Sequence, residues 1–317
     1  MIDVIGAPFD LCGKRTGARL GPPAIRLAGL EETLCGLGQE VSDLGDLPIP
    51  TEEMGSERLR FGAAAIQNLT QIERVVSKSI SEGHLPLVLG GDHSIAIGGI
   101  RAALNTYGAD LALLWLDAHS DLNTPATSPS GNLHGMPVGA LLGIESGAEG
   151  IADEQWAQII PTTPLKPENV AFFGLRELDP GEQQVIGSLQ HCYKATMHEI
   201  DRHGIVSSMR RLGHWLDTIG AKRLWISFDV DMLDPVLAPG TGTAVRGGLT
   251  YREAHLVAEL IRELFDKPDC PYQLAGLDVV EINPLFDSHN ETAKTAVEWI
   301  GSLFGKTILG NKGHLVL

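Results

Sequence analysis

Short apolar, β-branched runs alternate along this chain with longer stretches in which apolar residues recur every third or fourth position. The runs at 3–6, 85–90, 111–117, 170–173, 223–229 and 273–280 predict strands. Several are apolar almost without interruption, as strands buried on both faces of a parallel sheet are. Helical periodicity fills 22–34, 56–81, 197–216, 251–264 and 291–303. This alternation predicts a parallel, doubly wound α/β sheet, with a closed eight-stranded barrel as the other architecture the order allows. No Pro/Ser-rich linker, low-complexity stretch or repeat interrupts the pattern. The Gly/Pro-rich segment 123–137 is too short to separate domains and follows a strand, where α/β proteins place functional loops. Residues 1–317 therefore read as a single domain.

Composition narrows the partners. The 317 residues are 43% hydrophobic, enough for a sizeable core, and carry a net charge of −16. Nucleic acid and anionic membranes both call for basic patches, so neither is expected. Cys12, Cys35, Cys192 and Cys270 are scattered, with no C-x-x-C pair, and read as reduced thiols of a cytoplasmic protein. The opening MIDVIGAPFD has too short an apolar run for a signal peptide, and no run reaches the roughly 18 residues that span a bilayer.

Chemistry gathers at the ends of three predicted strands. Trp115-Leu116 runs into Asp117-Ala118-His119-Ser120-Asp121, where Asp117, His119 and Asp121 alternate. On an extended segment such positions point the same way. Trp225-Ile226-Ser227-Phe228 likewise runs into Asp229-Val230-Asp231; Asp234, before Pro235, reads as a turn cap. Buried aspartates are rare unless paired or metal-bound. Gly90-Gly91-Asp92-His93-Ser94 follows a third strand. His93 reads as a ligand there and Asp92 as its structural support, although alone this is an ordinary glycine turn. Two histidines and four aspartates exceed what one ion needs and suit two ions sharing carboxylates. The mixed oxygen–imidazole set favours manganese over zinc. Two such ions about 3.5–4 Å apart acidify a water for hydrolysis. Metal binding is therefore expected to stabilise the fold.

These motifs resemble the arginase branch of the ureohydrolase family. The resemblance runs from Gly6-Ala7-Pro8-Phe9 to Ser302-Leu303-Phe304-Gly305. It is carried by G-G-D-H-S, D-A-H-S-D-L-N-T-P, S-G-N-L-H-G-M-P, S-F-D-V-D-M-L-D-P and L-D-V-V-E-I-N-P. It implies a three-layer α/β/α sandwich with a mostly parallel central sheet, and two manganese ions per chain. One ion would take His93, Asp117, Asp121 and Asp229; the other would take Asp117, His119, Asp229 and Asp231. Asp117 and Asp229 would bridge, and a metal-bridging hydroxide, hydrogen-bonded by Asp121, would attack the guanidinium carbon. His134, by itself a loop histidine of the kind usually found on a surface, becomes a proton shuttle to the departing amine. Glu281, otherwise a salt-bridged strand end, becomes the partner of the guanidinium.

The outer pocket sets the substrate. Asn123, Ser130 and Asn132 resemble the loop that recognises an α-carboxylate, although such residues also favour turns. Asp179 matches the residue that faces an α-amino group, or is a helix N-cap before Pro180. Glu177 stands where animal enzymes carry aspartate. Thr243 matches a pocket residue, whereas Gly240 and Ala244 depart from the family wording. The implied activity is hydrolysis of L-arginine to L-ornithine and urea, with agmatine or guanidinobutyrate as rival substrates and a catalytically silent regulatory homologue as the rival from another class. A homotrimer or homohexamer is implied, and the apolar tail Leu315-Val316-Leu317 either packs on a neighbour or frays.

Overall fold

The apolar runs become strands in the structure, a computed structural model that describes residues 1–51, 54–267 and 270–309. The strands are β1 (Ile2–Ala7), β2 (Val41–Asp46), β3 (Leu85–Gly90), β4 (Leu111–Leu116), β5 (Val170–Leu175), β6 (Tyr193–Thr196), β7 (Arg223–Asp229) and β8 (Gln273–Val280). They form one sheet in the order β2-β1-β3-β8-β7-β4-β5-β6, and every ladder is parallel. The edge strands β2 and β6 do not meet, so the sheet is open and the barrel is excluded.

Side-chain alternation builds the layers. Ala112, Leu114 and Leu116 of β4 join one core, while Leu111, Leu113 and Trp115 join the other. Helices Ile205–Ile219, Tyr251–Phe265 and Glu291–Leu303 cover the first face. Helices Gly62–Ser81, Ala96–Tyr107 and Pro137–Leu141 cover the second. The fold is thus the expected α/β/α sandwich, with a sheet that is wholly parallel.

The structure corrects several boundaries. The helix expected over 22–34 is two, Gly21–Leu27 and Leu30–Gly36, divided at Gly29, which has φ 88°. That expected over 197–216 is broken at Gly204 into Met197–His203 and Ile205–Ile219. The helix expected from 56 starts at Gly62. The strand expected over 111–117 ends at Leu116. The tail Leu315-Val316-Leu317 lies outside the described residues. Among those described, no helix is long and apolar enough to cross a membrane.

Parallel strands bring all their carboxyl ends to one edge of the sheet. The central strands β3, β8, β7 and β4 are adjacent there. Chain direction from β3 to β4 jumps over two strands, which opens a crevice at that edge.

Candidate metal centre and substrate pocket

Four loops leave that crevice, and their acidic and imidazole groups meet. After β3, Gly91 passes so close to Phe9 that a Cβ would lie 1.8 Å from the Phe9 carbonyl oxygen. This turn delivers Asp92 and His93. Asp92 accepts from the Cys12 and Ser94 amides and serves as support, as expected. After β4, the chain bends instead of continuing as a strand, and Asp121 adopts φ 51°. Convergence of Asp117, His119 and Asp121 therefore comes from a bent loop, not from alternation along an extended segment. Glu182 holds the bend by accepting from the Asp121 amide and the Ser120 hydroxyl, each at 2.9 Å. After β7, a short turn presents Asp231, whose amide donates to Asp229 Oδ1 at 2.8 Å. Asp234 binds the Val236 and Gly247 amides as a turn cap.

Two groups result, with Asp117 between them. His93 Nδ1 lies 3.1 Å from Asp117 Oδ2, 3.2 Å from Asp121 Oδ2 and 3.2 Å from Asp229 Oδ2. His119 Nδ1 lies 3.3 Å from Asp117 Oδ1 and 3.1 Å from Asp231 Oδ2. Each oxygen of Asp117 thus faces a different histidine. Asp229 has one oxygen engaged by the Asp231 amide, so any sharing falls on its Oδ2.

Hydrogen-bond directions identify what belongs at the first group. Asp278, opposite Ser227 in the β7–β8 ladder, accepts from Trp225 Nε1 at 2.6 Å and from Ser227 Oγ at 2.5 Å. With its proton given to Asp278, Ser227 accepts from His93 Nε2 at 2.8 Å. The network thereby assigns the His93 proton to Nε2 and leaves Nδ1 a lone pair. That lone pair faces three carboxylate oxygens, and neither Nδ1 nor Asp117 Oδ2 has a hydrogen-bond partner although both are buried. Acceptors gathered around a point without a donor need a cation there. Trp115 stacks on the imidazole, with centroids 4.0 Å apart and planes 3° apart, and fixes its orientation. The residues therefore fit divalent ions with an oxygen–imidazole preference.

Electrostatics agree. Burial pushes the Asp229 carboxyl well up from the ordinary range, and the Asp231 and Asp117 carboxylates add to it. Asp121 is pushed up to about 7 by burial and by Asp117. Against its burial, the neighbouring carboxylates raise His93 well above its usual pKa, which marks how strongly the pocket favours a positive charge. Packing this many like charges together is unfavourable until a cation neutralises them.

Beside this cluster His134 Nδ1 lies 3.0 Å from Glu281 Oε1, which also accepts the His93 amide at 3.0 Å. Against burial, Glu281 raises the His134 pKa and His134 lowers that of Glu281. Glu281 sits at φ 62°, a second acid in the left-handed region. Such strain clusters at functional sites.

A cavity of about 630 Å³ opens onto His119. Glu177 and Thr243 are on its wall, and Thr243 Oγ1 donates to Asp231 Oδ2 at 2.8 Å. The other predicted substrate residues stand in linked loops. Asp179 is both N-cap of the helix Pro180–Ser188 and acceptor from Asn123 Nδ2 at 2.7 Å. Asn132 Nδ2 donates to the Gly13 carbonyl at 3.3 Å, and the exposed Ser130 hydroxyl accepts the Asn132 amide at 3.2 Å. Sequence reasoning overlooked Ser227, Asp278 and Glu182. Asp278 carried a signal, being a lone acid within the apolar run Leu277-Asp278-Val279-Val280.

Comparison with known proteins agrees with this geometry. The sequence matches the Arginase family over residues 1–305. It is 44% identical over 311 residues to arginase of Bacillus subtilis strain 168, covering 97% of this chain and 99% of that one. It is 40% identical over 333 residues to human mitochondrial arginase-2, covering 99% of this chain and 87% of that one. The solved structure of Bacillus caldovelox arginase superposes with a TM-score of 0.86 at 41% identity, covering 97% of this chain and 99% of that one.

Proposed function

The chain belongs to the arginase family, and from that premise we propose that it hydrolyses L-arginine to L-ornithine and urea with a pair of manganese ions. The observation that carries the reading is Asp117, whose two oxygens face His93 and His119 separately within a cluster of buried acids. By the family's pattern His93, Asp117, Asp121 and Asp229 would hold one ion, and Asp117, His119, Asp229 and Asp231 the other. Bound there, divalent ions would supply an acidified water and stabilise charge that develops at the guanidinium carbon.

The chain's own residues do the rest. Asp121 accepts a hydrogen bond from the attacking water and orients it. Glu281 keeps Oε1 on His134 and the His93 amide, and its Oε2 lies on the Gly242 side at the cavity wall. That oxygen would pair with a guanidinium N–H. His134, tied at Nδ1, retains Nε2 to hand a proton to the departing amine. Asp179 and Glu177 would meet the α-amino group. Ser130 and Asn123 would donate to the α-carboxylate, with Asn132 holding their loop and Thr243 the rim. The reading takes residues 1–317 as one unit in a cytoplasmic homo-oligomer, a trimer or hexamer; four scattered cysteines with no C-x-x-C pair fit a reducing compartment. Urea release from L-arginine, agmatine and guanidinobutyrate after manganese loading tests the function. Preference for L-arginine is expected, and release from agmatine alone contradicts it.

A further inference from the structure

The chain carries a net charge of −16, yet the cavity mouth is basic. Lys14, Arg15 and Arg246 are all on its wall and all exposed, against a single carboxylate, Glu177. Among the described residues, none of the three cations has an acidic partner within ion-pair distance. Unpaired cations around the mouth run against the charge of a guanidinium substrate, so they need a reason.

The collar is built on fixed backbone. Asn132 Nδ2 holds the Gly13 carbonyl, Asn283 Nδ2 holds the Thr16 carbonyl at 3.1 Å, and Asp10 accepts the Gly17 amide at 2.7 Å. Arg15 lies over the Phe286 ring, 4.9 Å from its centroid. On the opposite loop, Arg176 Nη2 donates to the Val245 carbonyl and Asp234 accepts the Gly247 amide, each at 2.8 Å, which brackets Arg246. A side chain at Gly242 would lie 3.7 Å from Arg15 Cβ and 3.8 Å from Glu281 Oε2. Arg15 is thus rooted about one residue's width from the carboxylate that receives the guanidinium.

A substrate enters with its guanidinium toward the acid cluster and leaves its far end at this collar. We propose that Lys14, Arg15 and Arg246 select guanidino compounds whose far end carries a carboxylate and reject those ending in a bare ammonium. The inference rests on the ureohydrolase reading and assigns its selectivity to repulsion as much as to attraction. L-Arginine brings a carboxylate that offsets its ammonium at the collar, whereas agmatine brings the ammonium alone.

Steady-state urea release on L-arginine and agmatine tests this with the manganese-loaded full chain and the variant Lys14→Ala/Arg15→Ala/Arg246→Ala. Exposed charge pairs contribute modestly one by one, so the triple variant is expected to lower the L-arginine to agmatine ratio of kcat/KM about tenfold, carried by KM. Added salt narrows the wild-type ratio and leaves the variant's ratio nearly level. The charge-keeping variant Arg15→Lys/Arg246→Lys retains the wild-type ratio and shows that charge, not shape, decides it. Each single alanine variant shifts the ratio by about twofold and repeats the test should the triple variant fold poorly. An unchanged ratio in the alanine variants overturns the collar. Wild-type preference for agmatine also overturns it and leaves the ureohydrolase reading standing. No urea from either substrate overturns that reading itself.

Discussion

Replacing Asp278 by Asn separates the role of the relay from its contribution to folding. The side chain keeps its shape, and Trp225 Nε1 still needs an acceptor, so the amide oxygen turns to the indole. The amide nitrogen then faces Ser227 and donates to it. Ser227 in turn points its proton at His93 Nε2, which was 2.8 Å away as a donor. The His93 proton is driven onto Nδ1, the atom that faces Asp117, Asp121 and Asp229. Metal binding then forces the proton back against a buried donor and leaves one hydrogen bond unmade, roughly 1–3 kcal/mol. At about 1.4 kcal/mol per tenfold, affinity for the first ion falls about ten- to hundredfold. Stability without metal moves the other way. Burial pushes Asp278 up to about 6, against the pull of His93 and its two donors. A carboxyl raised in the folded state opposes folding once pH exceeds the unfolded value, here by roughly 2–3 kcal/mol at neutral pH, and a neutral amide removes that opposition. Manganese titration calorimetry and denaturant unfolding of the chelated protein read the two effects. Weaker metal binding with equal or higher metal-free stability is expected. Unchanged metal affinity with a less stable fold refutes the proton assignment.

Chelation of the loaded protein should lower its melting temperature, since each ion at a thousandfold excess over its Kd contributes about 4 kcal/mol. The pH slopes should be opposed. Asp121 and Asp92 are pushed up to about 7, chiefly by burial, so the metal-free fold holds extra protons and loses stability as pH rises toward that value. The loaded protein gains over the same range because its ligands must be deprotonated, and parallel slopes in calorimetry contradict this. His134→Asn should keep both ions and lose about a hundredfold or more of kcat, the usual contribution of a general acid; full turnover removes His134 from the mechanism.

Much of this was legible because burial and function left different marks. Six strands stood out as apolar runs, and their parallel order put the ligand motifs at one edge. β2 and β6 did not, since Val-Ser-Asp-Leu-Gly-Asp and Tyr-Lys-Ala-Thr are edge strands, each half-covered and mixed in character. Gly29 and Gly204 hid helix breaks inside continuous periodicity, because one glycine in a helical pattern is as often tolerated as terminal. His93, Asp117, His119, Asp121, Asp229 and Asp231 were found as residues, but the bend that gathers three of them depends on Glu182, some 61 positions further on. The donor directions through Ser227 and Asp278 exist only once β7 and β8 are in register. The cationic mouth was invisible in a net charge of −16, because it joins segments far apart in the chain.

Metal content after manganese loading tests the central claim most directly, comparing the wild type with Asp117→Ala. Two ions per wild-type chain and loss of both affinities in the variant are expected, because among the described residues Asp117 alone presents an oxygen to each histidine. A single ion in the wild type, or a variant that still holds two ions tightly, contradicts it.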